Sequence, residues 1–189
     1  MILPIYLYGH PVLRKVTKDI PLDYPNLETL LDNMFDTLNE SKGIGLAAPQ
    51  IGLEDRILVV DLSAIADRDP AFKDFKRVFI NAHIIERDGA EEIIEEGCLS
   101  IPDIHEKVPR KHRIRIQYLD EHLQPHDEIF EAFKARVIQH EYDHLEGIMF
   151  IDHIFGIRKQ MIRSKLNDII RGDVKCSYHV KSKPDRVKK

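Results

Sequence analysis

The spacing of apolar residues predicts a chain that mixes amphipathic helices with short strands. Over residues 26–39, apolar residues recur at steps of three and four, which is typical of a helix with one face on a core. Residues 56–61, 78–85 and 113–119 form short apolar runs rich in β-branched residues, as expected for strands. The last run alternates between apolar and polar residues, which indicates a strand with one face in solvent. Residues 156–170 repeat the helical spacing and predict a C-terminal helix.

A further helix is predicted over residues 131–145. Within it, Phe133, Val137, His140 and His144 follow steps of four, three and four, so all four lie on one face. Because that face carries the apolar residues, we expect it to turn towards the core. The two histidines would then occupy the sheltered position that a metal site needs.

The order of these elements favours a single α+β domain over residues 1–170. Strands do not alternate with helices as they do in βαβ units, and no repeat or second core pattern appears. The length of 189 residues, with 43% hydrophobic and 32% charged residues, agrees with one globular domain that buries a substantial core.

Charge is unevenly distributed between this domain and the C-terminal end. The net charge of −4 gives no argument for binding DNA. Residues 171–189, however, hold seven Lys and Arg against two Asp, so this segment carries a local charge of +5. We interpret it as a flexible basic tail, with attachment to ribosomal RNA as the functional alternative.

Cysteine content and hydropathy indicate a cytoplasmic protein. Two cysteines are too few for a disulfide framework, which favours a reducing compartment. The apolar N-terminal stretch lacks a basic region and is interrupted by Pro4, so it does not have the pattern of a secretory signal. No apolar run approaches the ~20 residues of a membrane-spanning helix, and we therefore expect no membrane partner.

The most informative stretch is His140-Glu141-Tyr142-Asp143-His144, an HExxH motif. Two histidines four positions apart on a helix lie one above the other and can share one metal ion. The glutamate between them is placed to act as a general base, as in metal-dependent hydrolases. The alternative is an amphipathic helix in which both histidines are simply buried and hydrogen-bonded.

The motif leaves the third metal ligand open. A metzincin would have a third histidine at position 150, which is Phe here, and a thermolysin-like site needs a later glutamate, whereas none follows Glu146. A thiolate is a strong ligand for a borderline metal, so an upstream cysteine is a further possibility. The candidates by sequence are therefore Asp152, His153, Asp168 and Cys98.

Three segments together resemble the peptide deformylase family, in the family's order and with its approximate spacing. They are residues 43–50 (GIGLAAPQ), 96–100 (EGCLS) and 139–145 (QHEYDHL). The continuation of the second segment through Ile101 and Pro102 is similar to the bacterial branch. The resemblance implies an α+β fold in which small mixed or antiparallel sheets pack around the central helix at 131–145. It also implies an enzyme that removes the formyl group from the N-terminal methionine of newly synthesised polypeptides and releases formate.

The resemblance also implies roles for individual residues. One divalent metal ion is implied, commonly Fe²⁺ in the cell, which Zn²⁺, Ni²⁺ or Co²⁺ can replace. Its ligands would be Cys98, His140 and His144. Glu141 would accept a proton from the attacking water and later pass it to the departing amine. The side-chain amide of Gln50 and the backbone N–H of Leu99 would stabilise the negative charge that grows on the formyl oxygen.

Substrate contacts are implied in two segments. Ile44 and Gly45 would pair with the peptide backbone, since addition of a peptide as a strand needs close approach of the two backbones. Phe133 and Val137 would line the pocket for the methionine side chain.

Three further positions near these segments are Arg136, His105 and Glu96. Arg136 is an unusual neighbour of a methionine pocket, so it either points to solvent or changes the pocket rim. His105 stands where the bacterial branch often carries an arginine that contacts substrate. We also predict that Glu96 pairs with Arg110 and holds the cysteine loop.

Two other functions remain to be weighed against deformylation. A zinc peptidase would use the same motif, but its downstream ligand is missing. A non-catalytic metal or interaction module would keep the ligands without turnover, and it is disfavoured because Glu141, which chemistry needs and metal binding does not, is present.

Overall fold

The structure is a computed structural model that describes residues 1–182. Two longer helices, two short helices and seven strands make up the regular structure of these residues. In chain order they are β1 (Ile5–Tyr6), α1 (Leu27–Glu40), β2 (Gly45–Ala47), β3 (Ile57–Asp61), β4 (Lys76–Cys98), β5 (Ile101–Leu119), β6 (Pro125–Glu131), α2 (Ala132–Leu145), α3 (Ile157–Met161), α4 (Arg163–Arg171) and β7 (Val180–Lys181). Short 3₁₀ turns connect several of them. None of the helices in residues 1–182 is long and apolar enough to cross a membrane.

Strands β2 to β6 form one antiparallel sheet in the order β2-β3-β4-β5-β6. A separate two-stranded parallel sheet pairs β1 with β7. The mixture of a meandering antiparallel sheet with a few helices confirms the predicted α+β class. Helix α2 follows β6 directly and packs on β5, β2 and β3, so it lies at the centre of the domain.

Strands β4 and β5 are much longer than the apolar runs predicted. They form a hairpin that pairs charged residues across the strands, such as Asp88 opposite Arg113 and Glu91 opposite Lys111. Opposite charges on facing strands stabilise pairing without any apolar alternation. The predicted helix at 156–170 is present as α3 and α4, which are separated by the single buried residue Ile162.

Three apolar clusters form the core, and α2 borders the first of them. The first cluster lies between the sheet and α2, and the second lies under α1 against β2 and β3. The third contains residues of the N-terminal arm, the base of the β4–β5 hairpin and α4. The arm is therefore part of the core: its Tyr8 N–H donates to the carbonyl of Ser100 (2.8 Å) and its Thr17 N–H to that of Leu145 (2.8 Å).

The C-terminal segment differs from the flexible tail that the charge pattern suggested. Residues 172–182 return to the body of the domain after α4, where the Ile5 and Leu7 amides donate to the carbonyls of His179 and Lys181, each at 2.9 Å. Val174 and Val180 pack against the third cluster, and this apolar contact explains why the segment stays on the domain despite its charge. Residues 183–189 of the predicted tail lie outside the described residues.

The Gly147→Ala variant tests how tightly the arm packs against the end of α2. Gly147 has φ +69° and Gly172, which ends α4, has φ +79°, so alanine at either site costs about 1 kcal/mol of backbone energy. An added Cβ at 147 would lie 2.7 Å from the Arg14 carbonyl oxygen, whereas at 172 it meets only the Ser182 side chain at 3.3 Å. In urea unfolding we expect Gly147→Ala to lose about 1–3 kcal/mol more stability than Gly172→Ala. Equal losses would contradict close packing of the arm.

Candidate active site

Helix α2 and the β4–β5 turn bring three potential metal ligands together. His140 and His144 lie on successive turns of α2, with ring centroids 5.3 Å apart. Cys98 is the last residue of β4, and its Sγ lies 3.3 Å from Nε2 of His144. Ligand atoms of the three residues all lie within 4.8 Å of one another. Within the described residues this is the one such His/Cys/Asp/Glu cluster, and it does not include Asp152, His153 or Asp168.

The chemistry of this cluster fits a divalent metal ion. One thiolate and two imidazoles suit zinc and first-row transition metals, and three protein ligands are typical of catalytic sites. Two polar atoms beside the cluster are buried without a hydrogen-bond partner within the described residues, namely Oε2 of Glu141 and Nδ1 of His144. Buried polar atoms normally have partners. An unpartnered carboxylate oxygen next to three ligand atoms is therefore consistent with a site built for an ion and a water molecule.

Burial and neighbouring charges shift the pKa values of two groups at the site. Burial would raise the pKa of the Cys98 thiol, but the adjacent His144 and His140 outweigh it and lower the pKa to about 5. Burial raises the pKa of Glu141 to about 7, against the opposing effect of the same histidines. The thiol is therefore poised to be a thiolate ligand, and the carboxyl group is poised to exchange a proton near neutral pH.

The carboxylate of Glu96 contacts one of the three potential metal ligands on the side away from the cluster. Its Oε2 lies 2.8 Å from Nδ1 of His140, the nitrogen opposite the cluster. The predicted contact with Arg110 is present, since Nε and Nη2 of Arg110 donate to the two carboxylate oxygens at 2.6 and 3.0 Å. Such outer partners fix the orientation of a ligating imidazole. The remaining Arg110 nitrogen, Nη1, donates to Asp143 at 2.7 Å, so the same guanidinium also holds α2.

Arg136 does not point to solvent, but it does border the cavity beside these residues. Its side chain is 4% exposed, and Nη1 donates to Oε1 of Glu96 (2.8 Å) and to the carbonyl of Val108 (3.0 Å), while Nη2 donates to the carbonyl of Glu92 (2.6 Å). It thus cross-links α2 to both strands of the hairpin. His105 lies over Gly97, where an added Cβ would meet its ring at 2.7 Å.

A cavity of about 740 Å³ opens beside the cluster. The predicted site residues that line it are Ile44, Gly45, Gln50, Cys98, Leu99, Phe133, Val137, His140 and Glu141. His144 is the remaining predicted site residue, and it lies behind Cys98. Residues that sequence reasoning missed also line the cavity: Ile65 and Arg68 from the loop before β4, and Lys175–Tyr178 from the C-terminal segment. No local pattern marks these as site residues, because they reach the cavity through long-range packing.

Two of the lining residues are fixed by close contacts. Gln50 is 1% exposed, and its Oε1 accepts a hydrogen bond from the Ala47 amide (2.8 Å), which leaves Nε2 directed towards Cys98 Sγ at 3.5 Å and Ser100 Oγ at 3.4 Å. Gly45 lies directly against Glu141, because an added Cβ would come within 2.4 Å of its Oε1. Only glycine leaves room for the carboxyl group at this position.

The α+β fold, the two histidines on successive helical turns and the buried glutamate between them define a metal-dependent hydrolase. Comparison with known proteins identifies the family. A family model described as polypeptide deformylase matches residues 2–160. The peptide deformylase of Christiangramia forsetii is 48% identical over 188 residues, covering 96% of each chain, and that of Salinibacter ruber is 40% identical over 191 residues, covering 99% of this chain and 98% of the relative.

Solved structures agree with this match. A peptide deformylase from Legionella pneumophila superposes with a TM-score of 0.80 at 34% identity, covering 92% of this chain and 98% of that one. The peptide deformylase from Thermotoga maritima superposes with a TM-score of 0.74 at 36% identity, covering 82% of this chain and 99% of that one. The chain therefore belongs to the peptide deformylase family, a family of metal-dependent enzymes that remove N-formyl groups from nascent polypeptides.

The Arg110→Ala variant tests the support behind the ligands. Removing the guanidinium leaves the Glu96 carboxylate buried without its main partner, which typically costs about 3–5 kcal/mol. We also expect metal affinity to fall by about 10- to 100-fold, since His140 loses its fixed orientation. Urea unfolding and elemental analysis after dialysis measure the two effects.

Arg115→Ala is the matched control. Arg115 binds Asp127 with the same two nitrogens, at 2.7 and 2.9 Å, but at the surface. Because solvent screens this pair, its loss should change stability and metal content little. If Arg110→Ala also leaves metal content and activity unchanged, Arg110 does not hold the cysteine loop.

Proposed function

We propose that Cys98, His140 and His144 hold the divalent metal of this deformylase, and that Fe²⁺ occupies the site in the cell, with Zn²⁺, Ni²⁺ or Co²⁺ able to replace it. The observation that carries the proposal is the approach of all three ligand atoms to within 4.8 Å. The mixed sulfur and nitrogen donor set supports a borderline metal rather than Mg²⁺ or Ca²⁺. When bound, such an ion supplies Lewis-acid chemistry that lowers the pKa of water and polarises a carbonyl group.

In this proposal Glu141 moves the proton. It accepts a proton from the water molecule that attacks the formyl carbon, and it then gives that proton to the amine nitrogen as the C–N bond breaks. The products are formate and a free N-terminal amine. Support comes from its pKa, which burial raises to about 7, and from its unpartnered Oε2, which is free to meet the water.

We assign to Gln50 and Leu99 the hydrogen bonds that stabilise the negative charge growing on the formyl oxygen. The fixed Oε1 of Gln50 directs its Nε2 towards Cys98, and Leu99, which follows Cys98 in the chain, lines the same cavity. Donors that are held in place before the reaction stabilise the transition state without reorganising. Removing one such donor typically costs about 3–4 kcal/mol of barrier.

The substrate is assigned to the edge of the sheet. Strand β2 has β3 on one side and is the first strand of the order, so Ile44 and Gly45 lie where a peptide can add as a further strand. Phe133 and Val137 line the same cavity from α2 and are suited to the methionine side chain. The peptide would thus lie along β2 with its formyl end against Glu141.

The cytoplasm, where formylated chains are made, is the compartment we assign to this reaction. Ribosome contact through the basic residues 171–189 is a separate part of the proposal. It is supported by their charge of +5, which favours the phosphate backbone of ribosomal RNA.

Formate release from a formyl-Met peptide tests the proposed function. Protein purified without oxygen should release formate, and Glu141→Gln should keep its metal while turnover per metal falls by about 10²- to 10⁴-fold. Glu131→Gln, which changes an exposed glutamate just before α2, is the control and should retain activity. Hydrolysis of the unformylated peptide would instead indicate a peptidase. Binding of metal with no turnover of either peptide would indicate a non-catalytic module.

Co-sedimentation with ribosomes tests the basic segment. We expect the full chain to bind at 50 mM salt and to lose affinity steeply by 200 mM, as phosphate contacts do. A variant with alanine at Lys183, Arg186, Lys188 and Lys189 should bind more weakly and with a smaller salt dependence. Equal binding of the two proteins at low salt would refute this contact.

A further inference from the structure

The turn that carries Leu99 is not one of the turns that hairpins prefer. Cys98 pairs with Ile101, so Leu99 and Ser100 are the two central residues between β4 and β5. Two-residue hairpin turns of the favoured types need positive φ at one or both central residues. Among the described residues with positive φ, neither Leu99 nor Ser100 is found. The turn therefore depends on contacts from outside the hairpin.

Both carbonyl groups of the turn receive such contacts. The backbone N–H of Tyr8 donates to the carbonyl of Ser100 at 2.8 Å. The side-chain hydroxyl of Tyr178 donates to the carbonyl of Leu99 at 2.7 Å. The two donors come from opposite ends of the chain, which meet where β1 pairs with β7.

Tyr178 is well suited to hold this carbonyl. Its ring is half-buried and packs against the second apolar cluster, as the Leu99 side chain also does. Burial raises the pKa of Tyr178, so the hydroxyl stays protonated and remains a donor at neutral pH. Strand β7 begins two residues later and fixes the backbone beyond it. Tyr178 also lines the cavity, so it lies on the substrate side of the turn.

We propose that Tyr178 is a positioning residue for deformylation: its hydroxyl holds the Leu99 carbonyl and thereby limits rotation of the Leu99 backbone, which carries the N–H. This rests on the proposed function, in which that N–H faces the growing negative charge. Holding the carbonyl restricts the ψ angle of Leu99, and with Cys98 held at the cluster the Leu99 backbone has little freedom left. The segment that follows α4 thus belongs to the active site.

The Tyr178→Phe variant tests the proposal in the full-length protein. The change keeps the ring and its packing but removes the hydrogen bond to Leu99. We expect kcat per bound metal to fall by about three- to tenfold, because a less well oriented Leu99 N–H would make a weaker hydrogen bond to the transition state. KM should stay within about twofold of the wild type, because the Leu99 N–H is assigned to the transition state and not to substrate binding. Bound metal should be unchanged.

Tyr24→Phe is the matched control. Its hydroxyl donates to Asp55 at 2.5 Å, and Tyr24 does not line the cavity. It should keep wild-type kcat even if it lowers the unfolding temperature. Normalising rates to bound metal removes any unfolded fraction, so a loss of stability in Tyr178→Phe cannot imitate the effect.

Three outcomes would overturn the positioning role. One is a kcat per metal for Tyr178→Phe within error of the wild type. Another is the same fall in kcat in Tyr24→Phe. The third is loss of metal from Tyr178→Phe, which would mean that the hydroxyl supports Cys98 rather than Leu99. Failure of the proposed function itself is distinguishable, because the wild-type protein would then release no formate.

Discussion

The buried carboxylate of Glu96 is the interaction on which the geometry of the site depends. It lies two residues before Cys98 and contacts Arg110 on the partner strand and Arg136 and His140 on α2. One side chain therefore joins the strand that carries the thiolate, its hairpin partner and the helix that carries the imidazoles. Desolvation of buried ions costs several kcal/mol per ion, so such a network contributes little net stability compared with apolar packing. We attribute its role to setting one relative position of hairpin and helix.

Three buried carboxyl groups, those of Glu96, Asp143 and Glu141, differ in their surroundings and therefore in the direction of their pKa shifts. Arg110 contacts both Glu96 and Asp143, and with the neighbouring His140 and His153 it overcomes the effect of burial and lowers both pKa values. Glu141 lies on the same helix as Asp143 but contacts no arginine among residues 1–182, and burial raises its pKa to about 7. Two groups are thus kept ionised as fixed anchors, whereas the third is left able to take up a proton. Different environments give similar carboxyl groups different roles, so one site can combine rigid support with proton transfer.

Local patterns predicted the parts of the molecule in which the relevant neighbours are close in sequence. The position of His140 and His144 on one face of α2 follows from their spacing of four residues, which is a property of the helix itself. The length of the β4–β5 hairpin was underestimated because part of it is exposed and pairs charges, so no apolar alternation marks that part. Strand β7 has two residues, and its partner lies at the other end of the chain, so propensity gives no sign of it. The contact of Tyr178 with the cysteine turn could not be predicted for the same reason.

The residues that line the cavity come from two parts of the chain, one inside and one outside the region that matches the family model. Helix α2, β2 and the cysteine turn carry predicted site residues, and all of them lie within residues 2–160, the part that matches the family model. Arg68, from the loop before β4, and Lys175, from the C-terminal segment, contribute positive charge to the cavity, and the second lies beyond the matched residues. The motifs therefore account for the family match, whereas the C-terminal wall of the cavity depends on packing that no motif marks.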